Sequence, residues 1–161
     1  MLRQSGVQAL RAALELAAGD PRQWRSVAAI ASAQDLPAPM LEQLLLQLRR
    51  AQLVEARRGR LGGYRLRRPA REIPVAELLA AVGAMPDLGG RAPQAMAATS
   101  ASGPDGDTAP ADPEAQVLLA LERRLRRALE RELAALSLEE LLYDLRSWRE
   151  TLSNGGGLML G

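Results

Sequence analysis

At 161 residues, with 47% apolar and 25% charged side chains, the chain has room for one globular domain with a real core plus an appendage. It contains no cysteine, no histidine and no lysine. Disulfides, thiolate nucleophiles, zinc sites of nitrogen and sulfur, thiolate-held iron–sulfur clusters and histidine- or lysine-based serine hydrolysis are therefore excluded within it, leaving carboxylates as the only bases. The formal net charge of +2 conceals an asymmetry, because residues 1–71 hold 13 Arg and 5 acids (net +8) while residues 72–161 hold 8 Arg and 14 acids (net −6).

Trp24, Tyr64, Tyr143 and Trp148 are the only aromatics. A core of Leu, Ala, Val and Met belongs to packed helices rather than a sandwich or barrel, and the stacking platforms of single-strand binders are missing. The first residues have no basic-then-apolar leader, and no run reaches the ~18 apolar residues of a membrane span, so the expected compartment is the cytoplasm, with no membrane partner.

Ser5 and Gln8 form an S-x-x-Q pattern that predicts a capping box, followed by Val7, Leu10, Leu14 and Ala17 as the core stripe of a first helix that stops at Gly19-Asp20-Pro21. Ser26 is placed to cap a short second helix carrying Val27, Ile30 and Ala31. After a break from Gln34 to Pro39, a third helix sets Leu41, Leu44, Leu45 and Leu48 on one side and Glu42, Gln43, Gln47 and Arg50 on the other. Two short helices joined by a turn make a helix-turn-helix pattern.

A hairpin follows directly. Leu53 and Val54 open one strand, Tyr64 and Leu66 alternate with outward Arg65 and Arg67 in the other, and Gly59, Gly62 and Gly63 supply the turn. Residues 41–69 carry eight Arg and two Glu, a local excess that attracts a phosphate backbone through counterion release. A helix able to lie in a groove, followed by a basic two-stranded wing, is a device for double-stranded DNA. Pro74 then begins a fourth helix with Val75, Leu78, Leu79 and Val82 as its buried face.

Residues 86–112 are rich in Ala, Pro, Gly, Ser and Thr and read as a flexible linker, in which Asp105, Asp107 and Asp112 lack the rest of a cation-binding loop. Asp112 is the expected cap of a long helix that opens with Pro113 and Glu114. Its Leu118, Leu121, Leu125, Leu129, Leu133 and Leu136 form a stripe that needs a partner. That partner is either the chain's own core or, as the linker favours, a second copy. Arg123, Arg124, Arg126, Arg127 and Arg131 cover other faces as solvated or paired charges. Ser137 and Glu140 make another capping box, with Leu136 and Leu141 as its staple, and Leu141, Leu142, Leu145 and Trp148 are expected to bury the last helix before Asn154 and the glycines that follow end it. The expected organisation is a winged helix-turn-helix domain over 1–85, a linker over 86–112, dimerisation and C-terminal helices over 113–152, and a disordered tail over 153–161.

The segments Leu41-Glu42-Gln43-Leu44-Leu45, Leu48 to Val54, Arg58-Gly59-x-x-Gly62-Gly63-Tyr64-x-Leu66 and Glu72-Ile73-Pro74-Val75 resemble the Rrf2 family of winged-helix transcription regulators, the group that includes IscR, NsrR and CymR. The resemblance spans about residues 1–85 and, less distinctly, the C-terminal helices. It implies a mainly α fold, a homodimer, a palindromic operator, a third helix in the major groove and a wing at the adjacent minor groove. By it, Glu42 and Gln43 fall where the family faces bases, and Arg58 falls on the wing arginine. The chain departs from the pattern at Gln52, where the family usually has Gly, at Met40, where it has an aromatic, and near Pro37, where Ser is common. It also lacks the three cysteines that iron–sulfur members carry after the fourth helix.

The expected DNA-contacting set is Ser26, Pro39, Glu42, Gln43, Gln47, Arg50, Arg58, Arg60, Arg65 and Arg67, and the expected dimerisation set is Leu118, Leu121, Leu125 and Leu129. The reading is a cluster-free, cofactor-free regulator, not an enzyme, answering to a small-molecule effector, a protein effector or its own concentration. The alternative is a regulatory interaction subunit of the same fold that signals through a partner protein with weak or lost DNA binding.

Overall fold

Small side chains decide what sits at the centre. Helix α1 (Gln4–Ala18) buries Gly6, Ala9, Ala12, Ala13 and Leu16, and this narrow face lets α2 (Val27–Gln34), α3 (Ala38–Arg50), α4 (Val75–Ala81) and α6 (Leu138–Gly155) pack against it. A Cβ on Gly6 would lie 2.9 Å from the Ala84 Cβ and from a Leu79 methyl, so that approach requires glycine. The computed structural model describes residues 2–86 and 113–155. All of the expected linker but Pro86, with Asp105, Asp107 and the Asp112 cap, and the tail beyond Gly155 lie outside the described residues.

The start of α1 differs from expectation. Arg3 occupies the cap position without a side-chain cap, Ser5 lies inside the helix, and Gln8 is buried, so no capping box forms there. Val7 is exposed, and the buried face is rotated toward the alanines, with Leu10, Leu14 and Ala17 at its edge. Close packing with four other helices favours the small residues over the larger ones for the innermost positions. The stop at Gly19 is as expected, with the Arg22 amide donating to Asp20 Oδ1 at 2.8 Å.

Ser26 caps α2, its Oγ accepting the Ala29 amide at 3.1 Å. Leu41, Leu44, Leu45 and Leu48 of α3 are all buried. The helix ends in a Schellman motif, in which Gln52 takes φ 62°, its amide donates to the Arg49 carbonyl and the Leu53 amide donates to the Leu48 carbonyl, both at 3.0 Å. Gly is the residue suited to that left-handed position, which gives a physical reason for the family's preference there.

Strands β1 (Val54–Arg57) and β2 (Gly63–Leu66) pair antiparallel, with Val54 opposite Leu66 and Glu55 opposite Arg65. Arg25, just before α2, adds a single bridge to β2, the Arg25 and Tyr64 amides each donating to the other's carbonyl at 2.9 and 2.8 Å. Gly63 makes this possible, since it has φ 141° and a Cβ there would lie 2.3 Å from the Arg25 carbonyl oxygen.

Residues Ala70–Glu72 form a 3-10 turn, and Pro74 caps α4, whose Val75, Leu78 and Leu79 are buried along with Val82. The C-terminal helices are docked on this unit. Helix α5 (Pro113–Ala135) packs its end on α4, and the link to α6 forms an antiparallel bridge in which the Val75 amide donates to the Leu136 carbonyl and the Leu138 amide to the Ile73 carbonyl. Leu138 and Leu142 are buried, Leu138 within the same core as α1 to α4. The expected burial of α6 is corrected at its far end. Leu141 and Leu145 are half-buried, but Trp148 is 67% exposed, because α6 runs past the edge of the domain and continues to Gly155, beyond the expected limit of 152. Among the described residues, no helix is long and apolar enough to cross a membrane.

Candidate nucleic-acid interface

With Leu41, Leu44, Leu45 and Leu48 buried, α3 presents Pro39, Glu42, Gln43, Leu46, Gln47, Arg49 and Arg50 outward. Among the described residues, the side chains of Glu42, Gln43, Gln47, Arg49 and Arg50 make no hydrogen bond or ion pair, so they have no intramolecular bond to give up on meeting another molecule. Glu can accept from cytosine N4, and Gln can bridge adenine N6 and N7. In a helix-turn-helix it is the N-terminal part of the second helix that reaches base edges, and here that part carries Pro39, Glu42 and Gln43.

The wing arginines divide into two groups. Arg57, Arg58 and Arg60 are exposed around the turn and, among the described residues, have no hydrogen bond or ion pair. Arg65, Arg67 and Arg68 are engaged. Arg65 forms an ion pair with Glu55 directly opposite on β1, and its guanidinium lies 4.3 Å from the Trp24 ring centroid. Arg67 donates to the Gln52 side chain, and Arg68 pairs with Glu77 and donates to the Glu72 carbonyl at 3.0 Å. Of the expected contact residues, the structure therefore leaves Arg58 and Arg60 free on the wing and places Arg65 as a brace of the wing. Arg67 lines a groove of about 450 Å³ between α3 and the wing with Arg49, Arg50 and Gln52. Ser26 is exposed with its oxygen engaged in the cap.

Two features escaped the sequence reading. Arg57 and Arg49 join the free cations, although only a charge count pointed to them. A polar network also fixes the helix-turn-helix onto α1. Arg25 donates to Glu15 at 2.6 Å, Gln34 donates to the other Glu15 oxygen at 2.8 Å, and Arg11 donates to Gln34 at 3.2 Å. Glu15 is half-buried, and no periodic signal marks it.

This geometry agrees with the comparisons to known proteins. The model of a family, Rrf2, described as an iron-dependent transcriptional regulator, matches residues 2–144. The chain belongs to the Rrf2 family. It is similar to a protein named as an HTH-type transcriptional regulator in Synechocystis sp., at 34% identity over 146 residues, covering 91% of this chain and 90% of that one. It is also similar to the HTH-type transcriptional regulator IscR of Cereibacter sphaeroides, at 49% identity over 69 residues, which are 43% of this chain and 44% of IscR. Among solved structures, IscR of T. potens aligns with a TM-score of 0.65 and 25% identity over 90% of this chain and 88% of that one. Staphylococcus aureus CymR in its oxidised form aligns with a TM-score of 0.61 and 27% identity over 88% and 95%.

As an Rrf2 protein, the chain is a DNA-binding transcription regulator with a winged-helix fold. The family description names iron, and the donor set here does not fit an iron–sulfur centre. Such clusters rest on thiolates, helped in some by imidazole, and this sequence has neither cysteine nor histidine. Among the described residues, no three Asp or Glu side chains gather to hold a metal ion.

Proposed function

We propose that this Rrf2 regulator binds a palindromic double-stranded promoter site as a homodimer in the cytoplasm, without an iron–sulfur cluster and without catalytic activity. The observation that carries the reading is the pairing of a polar α3 face with the wing arginines Arg57, Arg58 and Arg60, none of which forms a side-chain hydrogen bond or ion pair among the described residues. Glu42 and Gln43 are assigned to base edges, with Pro39, Gln47 and Ser26 beside them. Arg50, Arg60 and Arg67 are assigned to phosphates, and Arg58 to the minor groove.

Helix α5 supports the homodimer. Val117, Leu118, Leu121 and Leu125 are 67, 61, 50 and 49% exposed, an apolar stripe that a second copy would cover, while Leu129 is half-buried near the end that packs on α4. A two-fold arrangement would set two α3 helices toward successive major grooves about 34 Å apart. The absence of cysteine and histidine supports the cluster-free state and directs attention to a small-molecule or protein effector.

Titration against duplex DNA across ionic strength tests the reading. With ~6–10 phosphate contacts in the dimer, affinity is expected to fall ~10³–10⁵-fold between ~50 and ~200 mM salt. An affinity that is flat across that range, or absent at low salt with a random-sequence library, would overturn it.

A further inference from the structure

On the side of the wing where Arg65 is braced, a cleft of about 850 Å³ opens between β2, the C-terminal end of α1, the 3-10 turn and the first turns of α6. That volume lies within the ~300–1,000 Å³ range of small-molecule sites. Leu16, Leu66 and Leu142 line it with apolar surface, and Tyr143, 74% exposed, stands at its wall. Five arginines and two glutamates, Glu55 and Glu139, also line it, and with Glu77 and Glu72, which pair with Arg68 and Arg71, the cleft keeps one positive charge in excess.

Those arginines are not equally available. Arg65 and Arg68 are neutralised by Glu55 and Glu77, and Arg67 is held by Gln52. Among the described residues, Arg71 reaches only its neighbour Glu72, at 3.7 Å, with two-thirds of its side chain exposed. Arg146 has no hydrogen bond or ion pair among the described residues. A guanidinium offers a planar fork that matches a carboxylate, and two under-used forks beside leucines and a tyrosine ring call for an anion with an apolar body.

We propose that this cleft binds a small carboxylate with an aliphatic or aromatic body, the carboxylate held by Arg71 and Arg146 and the body packed on Leu66, Leu142 and Tyr143. A bare inorganic anion would leave the leucines uncovered, and a neutral apolar molecule would leave both arginines unmatched. Because the lining joins the wing, through Glu55, Arg65 and Arg67, to α6, through Leu142, Tyr143 and Arg146, occupancy bears on where the wing sits. Its consequence for DNA binding rests on the function proposed above.

The experiment is calorimetric titration of the full chain with a series of carboxylates from benzoate and 3-phenylpropionate to octanoate. Their matched alcohols and inorganic phosphate are titrated alongside, and DNA affinity is then measured with and without the best binder. At least one carboxylate is expected to saturate at one site per chain, and its alcohol and phosphate to bind at least about tenfold more weakly. Arg71→Ala and Arg146→Ala should each weaken the carboxylate about tenfold, and Tyr143→Ala should weaken the longer members most. An Arg123→Ala, Arg124→Ala control on α5 should change nothing. DNA affinity should shift with ligand in the wild type, and Arg146→Ala should need about tenfold more ligand for the same shift. Salt-dependent DNA binding with no saturating carboxylate overturns the cleft alone, as does equal binding of acid and alcohol, or binding unmoved by both arginine variants. Saturable, arginine-dependent carboxylate binding by a chain that ignores DNA supports the cleft and overturns the DNA reading.

Discussion

Helices α3 and α5 carry leucines at the same three- and four-residue steps, yet Leu41, Leu44, Leu45 and Leu48 of α3 are at most 6% exposed while Leu118, Leu121 and Leu125 of α5 are about half exposed or more. The period of a stripe announces that something must cover it and is silent on what does. In α3 the chain's own core is the cover, so the opposite, polar face is what the helix offers to the outside. In α5 most of the stripe is itself what is offered. The domain thus presents two surfaces of opposite character, one suited to a polyanion and one to an apolar partner.

The sharpest way to break this comparison is to mutate both stripes. Leu45→Ala should cost ~2–5 kcal/mol of stability, read from urea or thermal unfolding, because its site is closed on every side. Leu121→Glu with Leu125→Glu should leave the secondary structure intact and shift the chain from dimer to monomer in sedimentation, with a loss of operator affinity. If the double glutamate variant unfolds instead, α5 is held by its own chain and the contrast with α3 collapses.

The polar faces divide in the same way. Glu42→Ala and Gln43→Ala should change which operators are preferred, by ~1–3 kcal/mol per base contact, while Arg57→Ala and Arg60→Ala should weaken all sequences about equally and lower the salt slope by ~1 each. None of the four should alter stability beyond a few tenths of a kcal/mol. Arg65→Ala should do the reverse. It removes a cross-strand ion pair and a contact over Trp24, at a cost of ~0.5–1 kcal/mol in stability, with little change in sequence preference. A library selection in which all these variants lose affinity uniformly would remove Glu42 and Gln43 from the reading face.

The sequence carried much of this architecture, for identifiable reasons. The α3 stripe, the wing glycines, the Ser26 cap and the Ser137–Glu140 box are local, so residues a few places apart fix them. What escaped depends on distant neighbours. Val7 sits on a helical stripe, but the close approach of four helices turned the alanines inward instead. Trp148 continues the stripe of α6, but the core ends before it. Glu15 is one carboxylate on a helix until Arg25 and Gln34, 10 and 19 residues away, fold onto it. The division of the wing arginines into engaged and free also depends on partners, Trp24, Gln52 and Glu77, that spacing alone does not select.

Gln52 tests how far local strain shapes the groove between α3 and the wing. It holds φ 62°, a left-handed conformation that costs a non-glycine residue ~1–2 kcal/mol, and its side chain accepts from Arg67. Gln52→Gly removes the strain but adds the backbone freedom of glycine, so a net gain of ~0.5–1 kcal/mol is expected. Arg67 would lose its anchor. DNA affinity should then become less dependent on sequence register if the anchored Arg67 positions the wing against phosphate, and remain unchanged if it does not. A destabilised glycine variant would mean that the Arg67 contact outweighs the backbone strain.

The smallest effect is expected where α6 joins the domain. There the Ser137 amide and hydroxyl donate to the Glu140 carboxylate at 2.7 and 2.9 Å, and the Glu140 amide donates back to Ser137 Oγ at 3.3 Å. These hydrogen bonds favour the ionised carboxylate and hold its pKa below the ordinary glutamate value, the backbone donor first and the hydroxyl second, against a slight opposing effect of burial. A lowered folded-state pKa means that the unfolded chain takes up the proton more readily. The contribution of Glu140 is therefore fully present above the ordinary carboxylate range and is lost as pH falls through the folded value. Glu140→Gln should flatten the acid limb of stability below about pH 4 and leave the neutral and alkaline limbs parallel to the wild type. Because Leu138, one residue beyond the cap, donates to the Ile73 carbonyl, the Leu138 and Val75 amides should lose exchange protection, relative to their intrinsic rates, at low pH in the wild type before the α3 amides do. Simultaneous loss at both places would mean that the cap opens only with the whole domain, and that α6 is as firmly part of the core as α3.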